Sequence, residues 1–229
     1  MAPGRRADCA GVDWPIFNVL SPDDRRAILS RARRRRFARN EVIFHEGDPG
    51  HDLHLVAKGH VGIQRSTPLG DVVMLQILGS GSVFGELAVI SPGPRSATAV
   101  AVDQVETLCL RGEELELAGA ARAAIDQVLL QALAQNLRRT STLLVESLYL
   151  SAQRRIFLRL CELVSLFADA ERDGPVEIPL TQEQIGQLAG TVRPTANRVL
   201  REAQEAGILR MTRGRIEILD REALARRAR

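Results

Sequence analysis

Cysteine is scarce in this chain: Cys9, Cys109 and Cys161 are odd in number, scattered and without paired spacing. That pattern indicates neither a disulfide framework nor a zinc site, and it fits a reducing cytosol. An iron–sulfur sensor would need about four cysteine ligands, more than are present. Long apolar runs are missing too. Nothing approaches the roughly 20 residues of a membrane span, and Met1 to Val19 lacks the continuous apolar stretch of a signal peptide. The expectation is a soluble cytoplasmic protein without a membrane partner. The four histidines, His45, His51, His54 and His60, lack the His-x-His pair and following Glu of a jelly-roll oxygenase. His51 and His54 fall on opposite faces of a strand, so these are read as loop and surface residues, and neither a metal ion nor catalytic residues are expected.

At 229 residues the chain can hold two small domains, each with its own core. A formal net charge of +3 and a pI near 9.1 permit nucleic-acid binding without demanding it. The most informative stretch is FGELAVISPGPRSAT, Phe84 to Thr98. Gly85 lets the backbone turn amide groups toward a ligand, and Arg95 offers a planar fork of donors suited to a phosphate. Glu86 would repel a phosphate, so it has a place there only if it accepts from another ligand group, such as a ribose hydroxyl. A structural ion pair between Glu86 and Arg95 across a hairpin loop, with Gly93 and two prolines making the turn, is the competing reading.

Residues 1–13 are charged, small and unpatterned, an expected disordered leader. Ser21-Pro22-Asp23-Asp24 places an N-cap, a proline and acids at the start of a helix over Pro22 to Ala32. RARRRRF, from Arg31, is read as a cationic helix end followed by a solvated edge strand. From Phe37 to Leu110, short alternating apolar segments separated by glycine turns predict an antiparallel barrel or jelly roll. From 119 to 150 the pattern is helical. Leu130, Leu133, Leu137, Thr140, Leu144 and Ser147 recur at three- and four-residue steps, the seam of a two-stranded coiled coil and so of a homodimer in preference to a packed interior helix.

A second amphipathic helix, Ala152 to Ala168, and the turn ERDGP lead to a compact module over 151–229. Thr181 caps one helix with Gln184 at the capping-box position; Gly190 ends it; Thr191 caps the next, with Pro194 in its first turn. Two short helices joined at Ala189-Gly190 are a helix-turn-helix, and GILRMTRGRIEIL forms a two-stranded wing around Arg213-Gly214. Arg193, Thr195, Asn197, Arg198 and Arg201 on the second helix, with Arg210, Arg213 and Arg215 on the wing, supply the phosphate and base-edge donors of a DNA reader.

GEL, a short Pro/Gly-rich spacer and RSAT resemble the phosphate-binding cassette of cyclic-nucleotide-binding domains, and the strand region, with glycines at 47 and 59, resembles that domain throughout. The resemblance implies that Gly85, Glu86, Leu87, Arg95 and Ser96 hold the cyclic phosphate and ribose. It also implies that Thr140 touches the base from its own subunit and Ser141 from the partner. From Trp14 to Leu224 the order of parts is similar to the cyclic-AMP receptor protein branch of the CRP/FNR regulators. That branch reads its operator through Arg-Glu-Thr-x-x-Arg, which stands here as Arg193-Pro194-Thr195-Ala196-Asn197-Arg198, with Thr181 and Arg213 as further DNA contacts. Proline offers no acceptor to cytosine N4, so the half-site familiar from that branch is not assumed here.

The whole is read as an α+β protein: a cyclic-nucleotide-binding jelly roll over 14–118, a long dimerisation helix over 119–150 and a winged helix-turn-helix over 151–229. It is expected to be a homodimeric regulator gated by cyclic AMP, with cyclic GMP second, acting on a palindromic double-stranded DNA operator together with RNA polymerase. The rivals are a CRP/FNR regulator responding to a haem-bound gas or another metabolite, and a metal-dependent jelly-roll enzyme.

Overall fold

The computed structural model describes residues 14, 17, 18, 20–68, 70–91, 93–116, 122–168 and 174–229. The expected leader, Cys9, residues 119–121 of the expected dimer helix and most of the ERDGP turn lie outside these. The chain divides into two units. One runs through Arg65 and resumes from Gln76 to Arg139; the other comprises Ser66–Leu75 and Thr140–Arg229.

The first unit opens with α1, Pro22–Leu29, where the Ser21 hydroxyl accepts from the Asp24 amide at 3.1 Å. This helix stops three residues short of the expected end, because Arg31 and Ala32 donate back only three residues, to Ile28 and Leu29, tightening the last turn. The strands β1 (Arg33–Phe37), β2 (Val42–Phe44), β3 (Pro49–Gly50), β4 (Asp52–Lys58), β5 (Val61–Ser66), β6 (Val72–Leu78) and β7 (Val83–Phe84) follow along the chain, with Ser66 and residues 72–75 assigned to the second unit. After them come the short helix α2 (Leu87–Ile90), β8 (Gly93–Pro94), β9 (Thr98–Ala101), β10 (Val105–Arg111) and α3 (Gly112–Glu116). Two four-stranded antiparallel sheets result, in the orders β1-β10-β4-β7 and β2-β9-β5-β6, with β3 and β8 pairing by themselves. The jelly roll expected from the alternation is present.

Period-two alternation divides the side chains of β4 and β10 between two cores. Val56 and Val105 join Phe37, Ile43, Val61, Phe84, Ala99 and Ala101 in one cluster. Leu53, Leu55, Leu108 and Leu110 face the other way, into a cluster with Trp14, Phe17, Ile28 and the first turns of α4, the helix Arg122–Tyr149. Ile125, Val128, Leu129 and Ala132 of α4 are buried there, a docking face that the seam reading had not singled out. The seam residues lie on the other side: Leu130, Leu137 and Leu144 are 64%, 70% and 59% exposed, Thr140 is exposed and Leu133 half-buried.

In the second unit the end of α4 leads to α5, Ala152–Phe167, capped by Ser151. Arg159 of α5, buried, joins Glu146 of α4 at 2.6 Å and Glu162 at 3.0 Å. Then come β11 (Val176–Ile178), α6 (Gln182–Leu188), α7 (Arg193–Glu205), β12 (Leu209–Thr212), β13 (Arg215–Ile218) and α8 (Arg221–Ala228). The wing carries one strand more than expected, since β11 pairs with β13 in the order β11-β13-β12. The Thr181–Gln184 capping box forms in full. Thr191 does not cap α7. Val192 occupies that position without a side-chain cap, and proline at the second helical position presets the backbone instead. Gly186 packs against the start of α7, where an added Cβ would come 3.1 Å from Ala196 Cβ and 3.4 Å from the Thr191 carbonyl.

Candidate functional site

Arg95 is the centre of the sensor site. It sits directly after β8, whose pairing with β3 aligns Pro94 with Pro49 and Gly93 with Gly50. Its amide donates to the Asp48 carbonyl at 2.8 Å, and its carbonyl accepts from Gly47 at 2.9 Å. The side chain is buried. Nη1 donates to the Asp52 carbonyl at 2.7 Å and to the Gly85 carbonyl at 3.0 Å, Nη2 bonds the Asp52 carboxylate, and the guanidinium lies 4.1 Å from the Phe44 ring centroid. Nε is buried and has no protein partner. Two glycines make room for this side chain. A Cβ on Gly85, whose φ is +78°, would come 2.6 Å from Nη1, and one on Gly50 would come 2.8 Å from Nε.

Glu86, 4% exposed, makes no ion pair with Arg95, although the guanidinium charge still acts to lower its carboxyl. Its Oε1 accepts from Asn136 Nδ2 of α4 at 2.8 Å, and burial holds its carboxyl above the usual range despite that bond. The ion pair between Glu86 and Arg95, one of the two readings open from sequence, is thereby corrected: Asp52 is the carboxylate on Arg95. Gly85, Glu86 and Arg95 come together as expected, and Asp52 and Asn136 are members that sequence reasoning missed. Leu87 and Ser96 have exposed side chains beside them in the chain, and Thr140 and Ser141 are exposed on α4.

The histidine reading also needs correction. His45 and His51 are exposed and His60 meets Asp103 at 2.6 Å, but His54 is 1% exposed, inside the barrel. The alternation did put His51 and His54 on opposite faces; the face of His54 is the interior. Its ring stacks on Phe84 at 5.0 Å, and Nδ1 is 3.1 Å from Thr107 Oγ1. Burial, with Arg95 and Arg35 nearby, pushes the imidazole down to about 4 despite Asp52, so it is neutral at pH 7. Cys109, across from His54 in the β4–β10 register, donates its thiol to Asp52 Oδ2 at 3.0 Å. Burial and the neighbouring carboxylate push that thiol up to about 12. For Asp52, burial acts to raise the carboxyl, but Cys109, His54 and Arg95 outweigh it and leave it below the usual range.

In the second unit the helix-turn-helix presents Arg193, Pro194, Arg198 and Arg201 to solvent. Arg198 reaches Glu202 at 2.8 Å. Thr195 and Asn197, expected on the exposed side, are half-buried, and Asn197 Oδ1 is buried without a partner. Thr181 holds its cap at the start of α6. On the wing, Arg210 and Arg215 pair with Glu217 and Glu177, both at 3.1 Å, while Arg213 is exposed at the turn. Among the described residues no helix is long and apolar enough to cross a membrane.

Residues 34–118 match the cyclic nucleotide-binding domain family, and residues 154–227 match the Crp-like helix-turn-helix domain family. The chain is 34% identical over 216 residues to the CRP-like cAMP-activated global transcriptional regulator of Mycobacterium tuberculosis, spanning 93% of this chain and 96% of that one. It is 33% identical to the cyclic AMP receptor protein of Thermus thermophilus over 89% of this chain and 92% of that one. Among solved structures, the c-di-GMP-responsive regulator CLP of Xanthomonas campestris shares the fold at TM-score 0.74 and 23% identity, covering 87% of this chain and 99% of that one. The family consists of transcription regulators, not enzymes, which sets aside the jelly-roll enzyme. With a cyclic nucleotide-binding barrel ahead of a Crp-like helix-turn-helix, and two relatives matched along nearly their whole length, this chain belongs to the CRP/FNR family of transcription regulators.

Proposed function

We propose that the protein is a homodimeric, cytoplasmic transcription regulator whose DNA binding is governed by cyclic AMP held in the barrel. The observation that carries the ligand reading is Arg95: a buried guanidinium, threaded between two glycines, with one donor unsatisfied. A cyclic phosphate satisfies such a group, with the backbone of Gly85 to Leu87 and the Ser96 hydroxyl sharing the anion. Glu86 then accepts from the ribose 2′-hydroxyl while Asn136 keeps the carboxylate oriented. Thr140 meets the purine from its own subunit, and Ser141 of the partner subunit meets it from the other side. Cyclic AMP is favoured over cyclic GMP because the two near-full-length relatives are named for it.

The subunits join along Leu130, Leu133, Leu137, Thr140 and Leu144. A ligand touching both subunits favours one arrangement of the pair over another, and that arrangement sets the separation of the two α7 helices. Recognition helices must meet successive major grooves about 34 Å apart, which calls for a palindromic operator. Arg193, Thr195, Asn197 and Arg198 read it, Thr181 and Arg213 hold its phosphates, and RNA polymerase is the partner at the promoter. Calorimetric titration with each nucleotide tests the ligand: tight binding of cyclic AMP and weaker binding of cyclic GMP is expected, and binding of neither would overturn it.

A further inference from the structure

We propose that Asp52, His54 and Cys109 form a site for one divalent transition-metal ion of the zinc type, set against Arg95 inside the barrel. Their ligand atoms all lie within 4.8 Å of one another. A tetrahedral zinc ion, with bonds of about 2.0–2.3 Å, wants its ligand atoms about 3.3–3.7 Å apart. Two of the separations straddle that range: Cys109 Sγ to Asp52 Oδ2 is 3.0 Å, and His54 Nε2 to Asp52 Oδ1 is 3.9 Å. With all three donors within 4.8 Å of one another, one centre is within reach of side-chain adjustment.

The backbone supporting them is paired strand. His54 and Cys109 face each other in the β4–β10 register, and Asp52 lies two residues from His54 on the same face. His54 is oriented by a further residue, Thr107, whose hydroxyl is 3.1 Å from Nδ1. With Nδ1–H donated there, the lone pair of Nε2 points toward Asp52, an outer hydrogen bond that metal-ligating histidines almost always make. The donor set decides the class of ion. One sulfur, one imidazole and one carboxylate suit zinc or cobalt and not magnesium or calcium. Asp52 is 26% exposed along its side chain, leaving a route for the ion and for a water as fourth ligand. Binding takes the Cys109 proton to solvent, so the thiol becomes a thiolate.

The ion and Arg95 compete for one carboxylate. With the metal in place, Asp52 no longer neutralises the guanidinium, and two cations are left together. If the nucleotide reading above is right, a cyclic phosphate relieves that repulsion, so metal and nucleotide each tighten the other's binding by the same factor. Metal binding itself does not depend on that reading.

Cobalt(II) titration of the full chain tests the site. The expected result is one equivalent per chain, with the near-ultraviolet thiolate-to-cobalt charge-transfer band, displaced by zinc. The near-isosteric Cys109→Ser should abolish the band. Cys9→Ser and Cys161→Ser should leave it, and Thr107→Val should weaken affinity about 10- to 100-fold. A missing band, or one that survives Cys109→Ser, overturns the proposal, including the case where cobalt binds only the exposed His45 and His51. Repeating the titration with cyclic AMP separates the readings: failure to bind the nucleotide counts against the proposed function alone, and an unchanged cobalt affinity in protein that binds both overturns the coupling.

Discussion

Arg95→Ala should weaken the free protein as well as its hold on nucleotide. The hydrogen bonds of Arg95 serve the unliganded fold as well as the ligand. Its loss strands two backbone acceptors, the carbonyls of Asp52 and Gly85, and removes the cation from the Asp52 carboxylate. A buried acceptor without a donor costs about 1–3 kcal/mol. Water entering the vacated space repays part of this, and the Asp52 carboxylate is partly solvated, so its share is discounted. A net loss of about 3 kcal/mol follows, equivalent to roughly 6–12 °C in the unfolding midpoint for a chain of this size. Trp14, the one tryptophan, is 1% exposed in the outer cluster of the barrel, so its emission follows the sensor unit. Thermal unfolding without nucleotide, read by that emission, gives the shift; Arg95→Lys, which keeps the charge without the fork, should fall between. A midpoint for Arg95→Ala equal to wild type would refute the stabilising role given to these bonds. Nucleotide affinity should fall by at least roughly 10- to 150-fold, from a charge-assisted bond of about 1.5–3 kcal/mol.

Glu86→Gln should move stability the other way. Because burial raises the folded carboxyl above its ordinary 4.5, the stabilisation it supplies is complete below that value and is lost as pH rises through the folded one. The variant should therefore melt higher than wild type at neutral pH, with the gap closing on acidification, while binding nucleotide more weakly; a gap independent of pH would contradict this. Leu137→Glu places like charges across the proposed seam, and sedimentation should find monomers that bind palindromic DNA poorly. Arg193→Ala or Arg198→Ala should erode the preference for operator over scrambled duplex in fluorescence anisotropy, at about 1–3 kcal/mol per guanine contact, with nucleotide affinity unchanged. Arg213→Ala should instead weaken both duplexes and flatten the salt dependence, as loss of a phosphate contact does.

The elements that sequence reasoning located were those written in local pattern. The Thr181–Gln184 box, the turn at Gly190, the leucine stripe on α4 and the glycine before Glu86 all depend on residues a few positions apart. What it missed lies between elements distant in sequence. Asp52 meets Arg95 over a separation of 43 residues, Asn136 meets Glu86 over 50, and Cys109 meets Asp52 over 57. Alternation shows which residues share a face of a strand but not which strand lies alongside, and β10 sits between β1 and β4. The same limit explains His54. Its position opposite His51 was legible, whereas the choice of face depended on Phe37, Phe44 and Phe84 closing around it. At Thr191 the residue type suited a cap, but a proline further on held the start of α7 without one.

The close approach of Gly186 to Ala196 bears on how regulators of this build diversify. A side chain at Gly186 would come 3.1 Å from Ala196 Cβ, so any residue larger than glycine there requires α7 to give by a few tenths of an ångström. Pro194, Arg198 and Arg201 share α7 with Ala196 but face solvent. Selection therefore acts on the two sides of one helix separately. After a gene duplication the outward positions can change and recruit new operators while the inward ones hold the helix at an unchanged angle, which makes this unit a ready scaffold for retargeting in the laboratory as well.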